Sequence, residues 1–278
     1  MASLSSTVIQ TLEKCQFIIR HGVGYDNVDM QALTNKGIIF SNIPDYCIEE
    51  VAEQAIMLLF ACARKFNFQQ EAVRISASQG SWDYTKVFPL HCVSGKKLGI
   101  IGCGRIGSKV LEMMRAFNME MLVCDPYLTS ERKAELGITT IPMDEVLQNA
   151  DFVTIHTPLN DETRHLIDKP QLKLMKSTAF IINTARGGIV SEAALIEACE
   201  EKWLAGAGID VFEAREPPPA ASKLLKLKNV IMTPHLGWYS EESKIKIRYK
   251  LIENVQRFLR GEMPINIINS EVIHNLQK

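Results

Sequence analysis

The sequence predicts an α/β protein whose main part is a doubly wound parallel sheet, and three observations carry that prediction. From Lys97 onward, short apolar runs alternate with amphipathic helical patterns. The runs show no in-and-out alternation, as expected of parallel strands covered on both faces. The first run leads directly into a glycine-rich turn, GCGRIG.

Taken in order, KLGII, MEMLVC, DFVTI, AFIIN, AGAGI and NVIMT read as the six strands. Between the first two, Ile106, Val110, Met113 and Phe117 recur at helical spacing. Between AFIIN and AGAGI, Leu195, Ala198 and Cys199 trace another apolar stripe. This alternation predicts strands joined by helices that cover the sheet. The segment ahead of residue 92 has a different rhythm. FIIR and GIIFSN are strand candidates, and a helix from about Ile48 to Arg64 follows, with Val51, Ala52, Ala55, Ile56, Leu59 and Cys62 on one face. SQGSWDYTKVFPLHCVSGKK carries glycine, proline and serine and reads as a linker with an aromatic anchor. Leu251, Ile252, Val255, Phe258 and Leu259 mark a closing helix, with Ser240 as N-cap and Glu241 and Glu242 favourable in its first turn.

A chain of 278 residues is long enough for two moderate cores, and its net charge of −1 gives no case for nucleic acid or an acidic membrane as partner. The seven cysteines are scattered, without Cys-x-x-Cys or zinc spacing, so no metal site is expected. They read as reduced thiols of a cytoplasmic protein. The start, MASLSSTVIQ, lacks the pattern of a secretory signal, and no apolar run approaches the length needed to span a bilayer.

GCGRIG places Gly102, Gly104 and Gly107 in G-x-G-x-x-G spacing. The first glycine permits a tight turn, the second lets backbone approach a pyrophosphate, and the third lets helix and strand pack closely. The helix N-terminus offers free N–H groups to the anion. Alone the motif is weak. Here it follows a strand, opens an amphipathic helix and precedes a second strand ending at Asp125, 18 residues beyond Gly107. Asp125 would accept the ribose hydroxyls and repel a 2′-phosphate. Pro126 and Tyr127 follow it with no rescuing arginine. NAD is the expected cofactor, over NADP.

A nicotinamide cofactor implies hydride transfer, and reducing a carbonyl takes a donor that titrates near neutrality, which points to histidine. Of six histidines, His235 stands out, in TPHLGW just past the strand NVIMT, at the sheet edge where ligands bind. A loop histidine bonded to backbone is as good a reading on position alone. Arg186, in NTARGG, also lies just past a strand; it is either a surface arginine or a group beside a close backbone approach. The line GIDVFEAREPPP sets Asp210, Glu213 and Glu216 around Arg215, and alone it reads most simply as a charged loop leaving a buried strand.

NTARGGIVSEAAL, AGAGIDVFE and TPHLGW, ordered after GCGRIG, resemble the D-isomer-specific 2-hydroxyacid dehydrogenases. RHGVGYDNVD, SNIPDYCIEEVAEQAIMLL and HLGWYSEES resemble most the branch of the C-terminal binding protein and the phosphoglycerate dehydrogenases. The resemblance spans essentially the whole chain. It implies a Rossmann NAD domain over residues 92–238, inserted in a flavodoxin-like substrate domain made of residues 1–91 and 239–278. It gives Arg186 the substrate carboxylate and carbonyl, and His235 the acid/base role. It places Arg105 and Ile106 on the pyrophosphate turn, and His156, Thr157 and Pro158 on the adenosine side. Thr184 and Gly237 flank the nicotinamide, with Asp210 at the same end of the cofactor. Val23 and Gly24 match a backbone loop that holds the substrate carboxylate. Trp238 either walls the pocket or packs at a domain seam.

The sequence departs from the pattern at one catalytic position. The family places a carboxylate, which orients the histidine and keeps its proton available, five residues past the strand-end aspartate. Here that position is Arg215, and Glu216 stands one later, before Pro217. An arginine facing His235 would disfavour the protonated imidazole, so the expectation is a one-residue bulge that lets Glu216 supply the carboxylate while Glu213 faces solvent. The family also has an N-terminal unit with no match here, so the resemblance implies an incomplete substrate domain, a homodimer that stabilises it, and weak turnover. The expected activity is NAD-dependent hydride transfer to or from a small 2-hydroxy or 2-oxo acid. The alternative is an NAD(H)-responsive, corepressor-like binding protein.

Overall fold

The computed structural model describes residues 3–276. The chain divides into two compact units, residues 48–238 and residues 1–47 with 239–278.

The flanking unit begins with α1 (Ser6–Gln10), β1 (Phe17–Ile19), α2 (Met30–Lys36) and β2 (Ile39–Ser41). The strands pair in parallel, Phe17 opposite Ile39 and Ile19 opposite Ser41. Asp29 caps α2 by accepting the Ala32 N–H at 2.9 Å, and Gly37 ends it in the left-handed region, φ 72°. Ile9, Leu33, Ile38 and Phe40 form the core of this unit. The segment after the closing helix lies along β2. There the Asn269 side chain accepts the Phe40 N–H at 2.8 Å and donates to the Ile38 carbonyl at 2.9 Å.

The larger unit begins with α3 (Ile48–Ala63) and α4 (Phe66–Gln79). Then come β3 (Lys97–Ile101), α5 (Arg105–Met114), β4 (Glu120–Cys124), α6 (Ser130–Leu136), α7 (Met143–Asn149) and β5 (Phe152–Ile155). It continues with α8 (Lys169–Leu174), β6 (Phe180–Asn183), α9 (Glu192–Glu200), β7 (Gly206–Ile209) and β8 (Val230–Met232). All six expected strands are present, in one parallel sheet of order β4-β3-β5-β6-β7-β8, a Rossmann arrangement. The chain reverses direction between β3 and β5, so the strand ends of β4, β3 and β5 flank the switch point where ligands bind.

α3 shows why the compact division falls at residue 47 and not at 91. Its buried face, Val51, Ala52, Ala55, Leu58, Leu59 and Cys62, belongs with the sheet. All of these but Val51 share a core cluster with Leu98, Ile100, Val110 and Ile182. Each large apolar side chain buried there stabilises the unit by about 1.5–3 kcal/mol. On the opposite face of the sheet a second cluster packs α7, α8 and α9 over Val153, Ile155, Ile181 and Ala207.

Two local expectations are corrected. α4 occupies residues where no helix was expected, just ahead of the linker. The closing helix, α10 (Glu241–Leu259), is capped by Ser240 as expected, with the Ser243 N–H donating to its hydroxyl at 2.8 Å. Of its five apolar marks Leu251, Val255 and Phe258 are half-buried, but Ile252 is 51% and Leu259 77% exposed, while Ile247 and Asn254 are buried. A last helix, α11 (Glu271–Leu276), ends the described chain.

Candidate active site

β3 ends at Ile101 beside Cys124 of β4 and Ile155 of β5, so the turn that follows is flanked by both neighbouring strand ends. Gly102 has φ 85°, and a Cβ there would meet Thr157 Cγ2 at 2.8 Å and the His156 carbonyl carbon and oxygen at 2.9 Å. A Cβ on Gly107 would meet the Gly102 carbonyl oxygen at 2.1 Å, so only glycine lets α5 start this close to the turn. Gly104 has open space around it, and as N-cap it offers α5 no side-chain hydrogen bond. The first N–H groups of α5 therefore point, uncapped, at the space an anion would fill. Arg105 is exposed at that end, and Ile106 is half-buried.

Asp125 lies just past β4. Its Oδ2 accepts the Cys103 N–H at 2.7 Å and its Oδ1 the Tyr127 N–H at 3.0 Å, which fixes the carboxylate at the edge of the turn. Past β5, Thr154 Oγ1 lies 2.9 Å from His156 Nε2, and burial holds that imidazole down at about 4, so it is neutral in the physiological range. Thr157 follows, then Pro158, which is exposed. The hydroxyls of Thr157 and Thr184 are buried and have no partner among the described residues. Buried hydroxyls without partners are rare; Thr157 lies against the glycine turn and Thr184 just past β6, at the same ends of the sheet's strands, where a polar ligand would meet them. Turn, uncapped helix, fixed carboxylate and orphan hydroxyls together fit a dinucleotide.

A second cluster forms where β6, β7 and β8 end. His235 Nδ1 lies 2.5 Å from Glu216 Oε2, and Glu216 Oε1 accepts the Phe212 N–H at 3.2 Å. Burial raises the Glu216 carboxyl, but the hydrogen bond and charge of His235, the Phe212 N–H and the charge of Arg186 together bring it below the usual carboxylate range. Arg215 is exposed. Glu216 thus reaches the histidine, and Arg215 stands outside.

His235 is a non-glycine residue at φ 55°, a costly conformation that persists where surroundings impose it. Asp210, 1% exposed, imposes it. Its Oδ1 accepts from Thr233 Oγ1 at 2.5 Å, the Leu236 N–H at 3.2 Å and Gln54 Nε2 at 3.3 Å. Its Oδ2 accepts the Gly237 N–H at 2.8 Å. Gln54 also donates to Thr233 Oγ1, at 2.8 Å. Asp210 therefore clamps the residues on both sides of His235, a task the sequence did not suggest for it. Trp238 follows, half-buried.

Arg186 is the last residue of a turn held by the buried Asn183, whose Nδ2 donates to the Arg186 carbonyl at 2.9 Å and whose Oδ1 accepts the Ala185 N–H at 3.0 Å. Its Nη1 donates to the Ala185 carbonyl at 2.7 Å. Glu213 does not face solvent as expected. It pairs with His165, accepts the Glu192 N–H at 2.8 Å, and donates its own N–H to Glu192 Oε2 at 3.2 Å. That network joins the loop after β7 to the start of α9. Val23 and Gly24 belong to the flanking unit. There Asn42 Nδ2 donates to the Val23 carbonyl at 2.6 Å and Arg20 Nε to the Gly24 carbonyl at 3.1 Å. Among the described residues no group of three or more His, Cys, Asp or Glu side chains could hold a metal ion. No helix among them is long and apolar enough to cross a membrane.

Residues 56–237 match the family described as D-isomer specific 2-hydroxyacid dehydrogenase, NAD binding domain. The chain belongs to the D-isomer-specific 2-hydroxyacid dehydrogenases. It is 38% identical to a glyoxylate reductase of Korarchaeum cryptofilum over 97% of this chain and 81% of that one. It is 41% identical to a D-3-phosphoglycerate dehydrogenase of Methanocaldococcus jannaschii over 94% of this chain and 49% of that one. A D-lactate dehydrogenase of Aquifex aeolicus, solved with NAD and lactic acid, is 30% identical with a TM-score of 0.87 over 96% of this chain and 84% of that one. An acyclic imino acid reductase solved with NADPH and D-Arg is also 30% identical, with a TM-score of 0.85 over 96% of this chain and 83% of that one. As a 2-hydroxyacid dehydrogenase, the chain is an NAD-dependent oxidoreductase that moves a hydride to or from a small 2-hydroxy or 2-oxo acid. These likenesses favour the enzyme over the corepressor-like alternative.

The site uses groups that the sequence left unmarked: Gln54, Thr233 and Asn183. Asn183 alone had a local signal, as the first residue of the strand-end turn NTARGG.

Proposed function

We propose that Arg186, His235 and Glu216 reduce a small 2-oxo acid of about glyoxylate size, and oxidise the matching D-2-hydroxy acid in reverse. The observation that carries this reading is the bond between His235 Nδ1 and Glu216 Oε2. With Nδ1 engaged, the proton that passes to a carbonyl oxygen leaves from Nε2. Arg186 supplies the cation for the substrate carboxylate and polarises the carbonyl. As negative charge develops on the carbonyl oxygen, His235 donates its proton and Glu216 keeps the imidazole ring fixed. NADH, when bound, supplies the hydride. Gly102, Gly104, Arg105, Ile106 and Gly107 would hold its pyrophosphate, Asp125 its adenosine ribose, and His156, Thr157 and Pro158 its adenosine side. Thr184, Gly237 and the remaining acceptor capacity of Asp210 would meet the nicotinamide. Trp238 walls the pocket. Residues 1–47 and 239–278 serve as substrate domain.

Glyoxylate is the first substrate to test, because several relatives named glyoxylate reductase align with nearly all of this chain. NADH consumption is followed with glyoxylate, pyruvate, hydroxypyruvate and its 3-phosphate, alongside Arg186→Gln and His235→Gln. The expected result is turnover of one or more acids that each substitution abolishes while NADH binding persists. Turnover that survives His235→Gln would refute the assignment.

We also read the chain as a cytoplasmic homodimer. Trp82 and Tyr84 stack at 5.9 Å, and Phe88 lies 6.2 Å from Tyr84. Trp82 is 66% and Phe88 64% exposed, a concentration of aromatic surface suited to a second copy. The seven cysteines are free thiols, as in a reducing compartment. Sedimentation of the protein and of Trp82→Ala tests the dimer; a monomer at micromolar concentration would refute it.

A further inference from the structure

Asp125 is the residue expected to choose NAD over NADP, and the rim around it carries a second carboxylate. In the strand order β4-β3-β5 the glycine turn lies between the loops that follow β4 and β5. Tyr127, on the first of these loops, donates its phenol to Glu162 Oε2, on the second, at 2.5 Å. The hydrogen bond and charge of Glu162, with a smaller contribution from Asp125, raise the Tyr127 phenol. Both ends are anchored. The Tyr127 N–H binds Asp125 Oδ1 at 3.0 Å. On the other side, Asn160 Oδ1 accepts the N–H groups of Glu162 and Thr163 at 3.0 Å each, and Thr163 Oγ1 donates to the Pro158 carbonyl at 2.6 Å. The sequence PLNDET thus folds into a fixed turn that presents Glu162 toward the loop of Asp125.

We propose that Glu162, tethered by Tyr127, is a second cofactor-selectivity residue that repels the 2′-phosphate of NADP(H) at the rim where Asp125 holds the ribose. The tyrosine occupies one carboxylate oxygen with a neutral donor, so the full negative charge stays at the rim. Arg132 is paired with Glu135 at 2.7 Å, and Arg105 stands at the helix N-terminus, where the pyrophosphate of either cofactor would use it. The fold itself accepts NADPH in one relative and NAD in another. A rim charge of this kind can therefore discriminate between them.

The test is equilibrium binding of NADH and NADPH to the whole protein, read by nicotinamide fluorescence at low and at high salt. Glu162→Gln keeps a partner for the tyrosine and removes the charge. It should tighten NADPH by about three- to ten-fold at low salt, as expected for one charge acting on a phosphate through water, and less at high salt. NADH affinity should stay within about two-fold, because NADH has no 2′-phosphate for that charge to act on. Asp161→Asn removes an exposed charge from the same turn without touching Tyr127, and should do much less. An unchanged NADPH affinity in Glu162→Gln, an equal effect of Asp161→Asn, or parallel changes for both cofactors would each overturn the proposal. Failure of the unmutated protein to bind NADH would instead sink the dinucleotide site itself.

Discussion

Glu216→Gln is the substitution that bears most directly on the proton site. The amide can still accept the Phe212 N–H, so the loop keeps its backbone bond, and what is lost is the carboxylate facing His235 Nδ1. A hydrogen bond to a charged group contributes about 1.5–3 kcal/mol. Both side chains retain partial exposure, 27% for Glu216 and 22% for His235, so solvent screening brings the expected loss to about 1–2 kcal/mol. A loss of that size in the transition state should lower kcat/KM for ketone reduction by about five- to thirty-fold. The same pair has a consequence on the acid side. The folded-state Glu216 carboxyl lies below its ordinary 4.5, so its contribution to stability is present above that value and lost as the pH falls through the lowered one. Glu216→Gln should lack this acid-side loss. The assay is kcat/KM for reduction against pH, with thermal midpoints across the same range. A variant with unchanged kcat/KM and an unchanged acid-side stability profile would refute the reasoning.

Three other expectations follow from named contacts. Asp210→Asn turns one of four accepting contacts against a donor in a buried site. It should cost about 2–3 kcal/mol in chemical denaturation and lower kcat as His235 loses its clamp. Gly187→Ala would place a Cβ 2.1 Å from the Phe212 carbonyl carbon and 2.4 Å from the Glu213 nitrogen, backbone atoms that cannot yield. The expected loss is about 3 kcal/mol or more, seen as a collapsed thermal midpoint or insoluble protein. Asp125→Ala should weaken NADH by about 1–3 kcal/mol in calorimetric titration, and an unchanged affinity would remove Asp125 from the ribose.

The sheet was legible because its strands are buried on both faces. Runs such as FIIN and FVTI have no polar side to confuse them with a surface element, and the glycine turn fixes where the first of them ends. α4 was illegible for the opposite reason: Ser76 is its one buried residue, so its sequence FNFQQEAVRISASQ carries no core-facing stripe. In α10 the fully buried positions include Ser243 and Asn254, which an apolar count passes over. At the proton site, Glu216 could be preferred over Arg215 by charge alone, since a cation beside the imidazole would oppose its task. Glu213 could not be placed that way, because its partner His165 lies 48 residues earlier in the chain. Gln54 stands 156 residues from Asp210, and no local pattern links a helix amide to a strand-end acid.

The clamp beneath His235 has a consequence for how the enzyme responds to its surroundings. Successive N–H groups such as those of Leu236 and Gly237 make a concavity that would otherwise attract phosphate, sulfate or a substrate carboxylate. Asp210 fills it with an anion from the chain itself. The loop is therefore assembled before any ligand arrives, and solvent anions gain no foothold under the histidine. Its shape is part of the resting protein, so the cost of organising the proton donor is met once, on folding, and not again at every turnover.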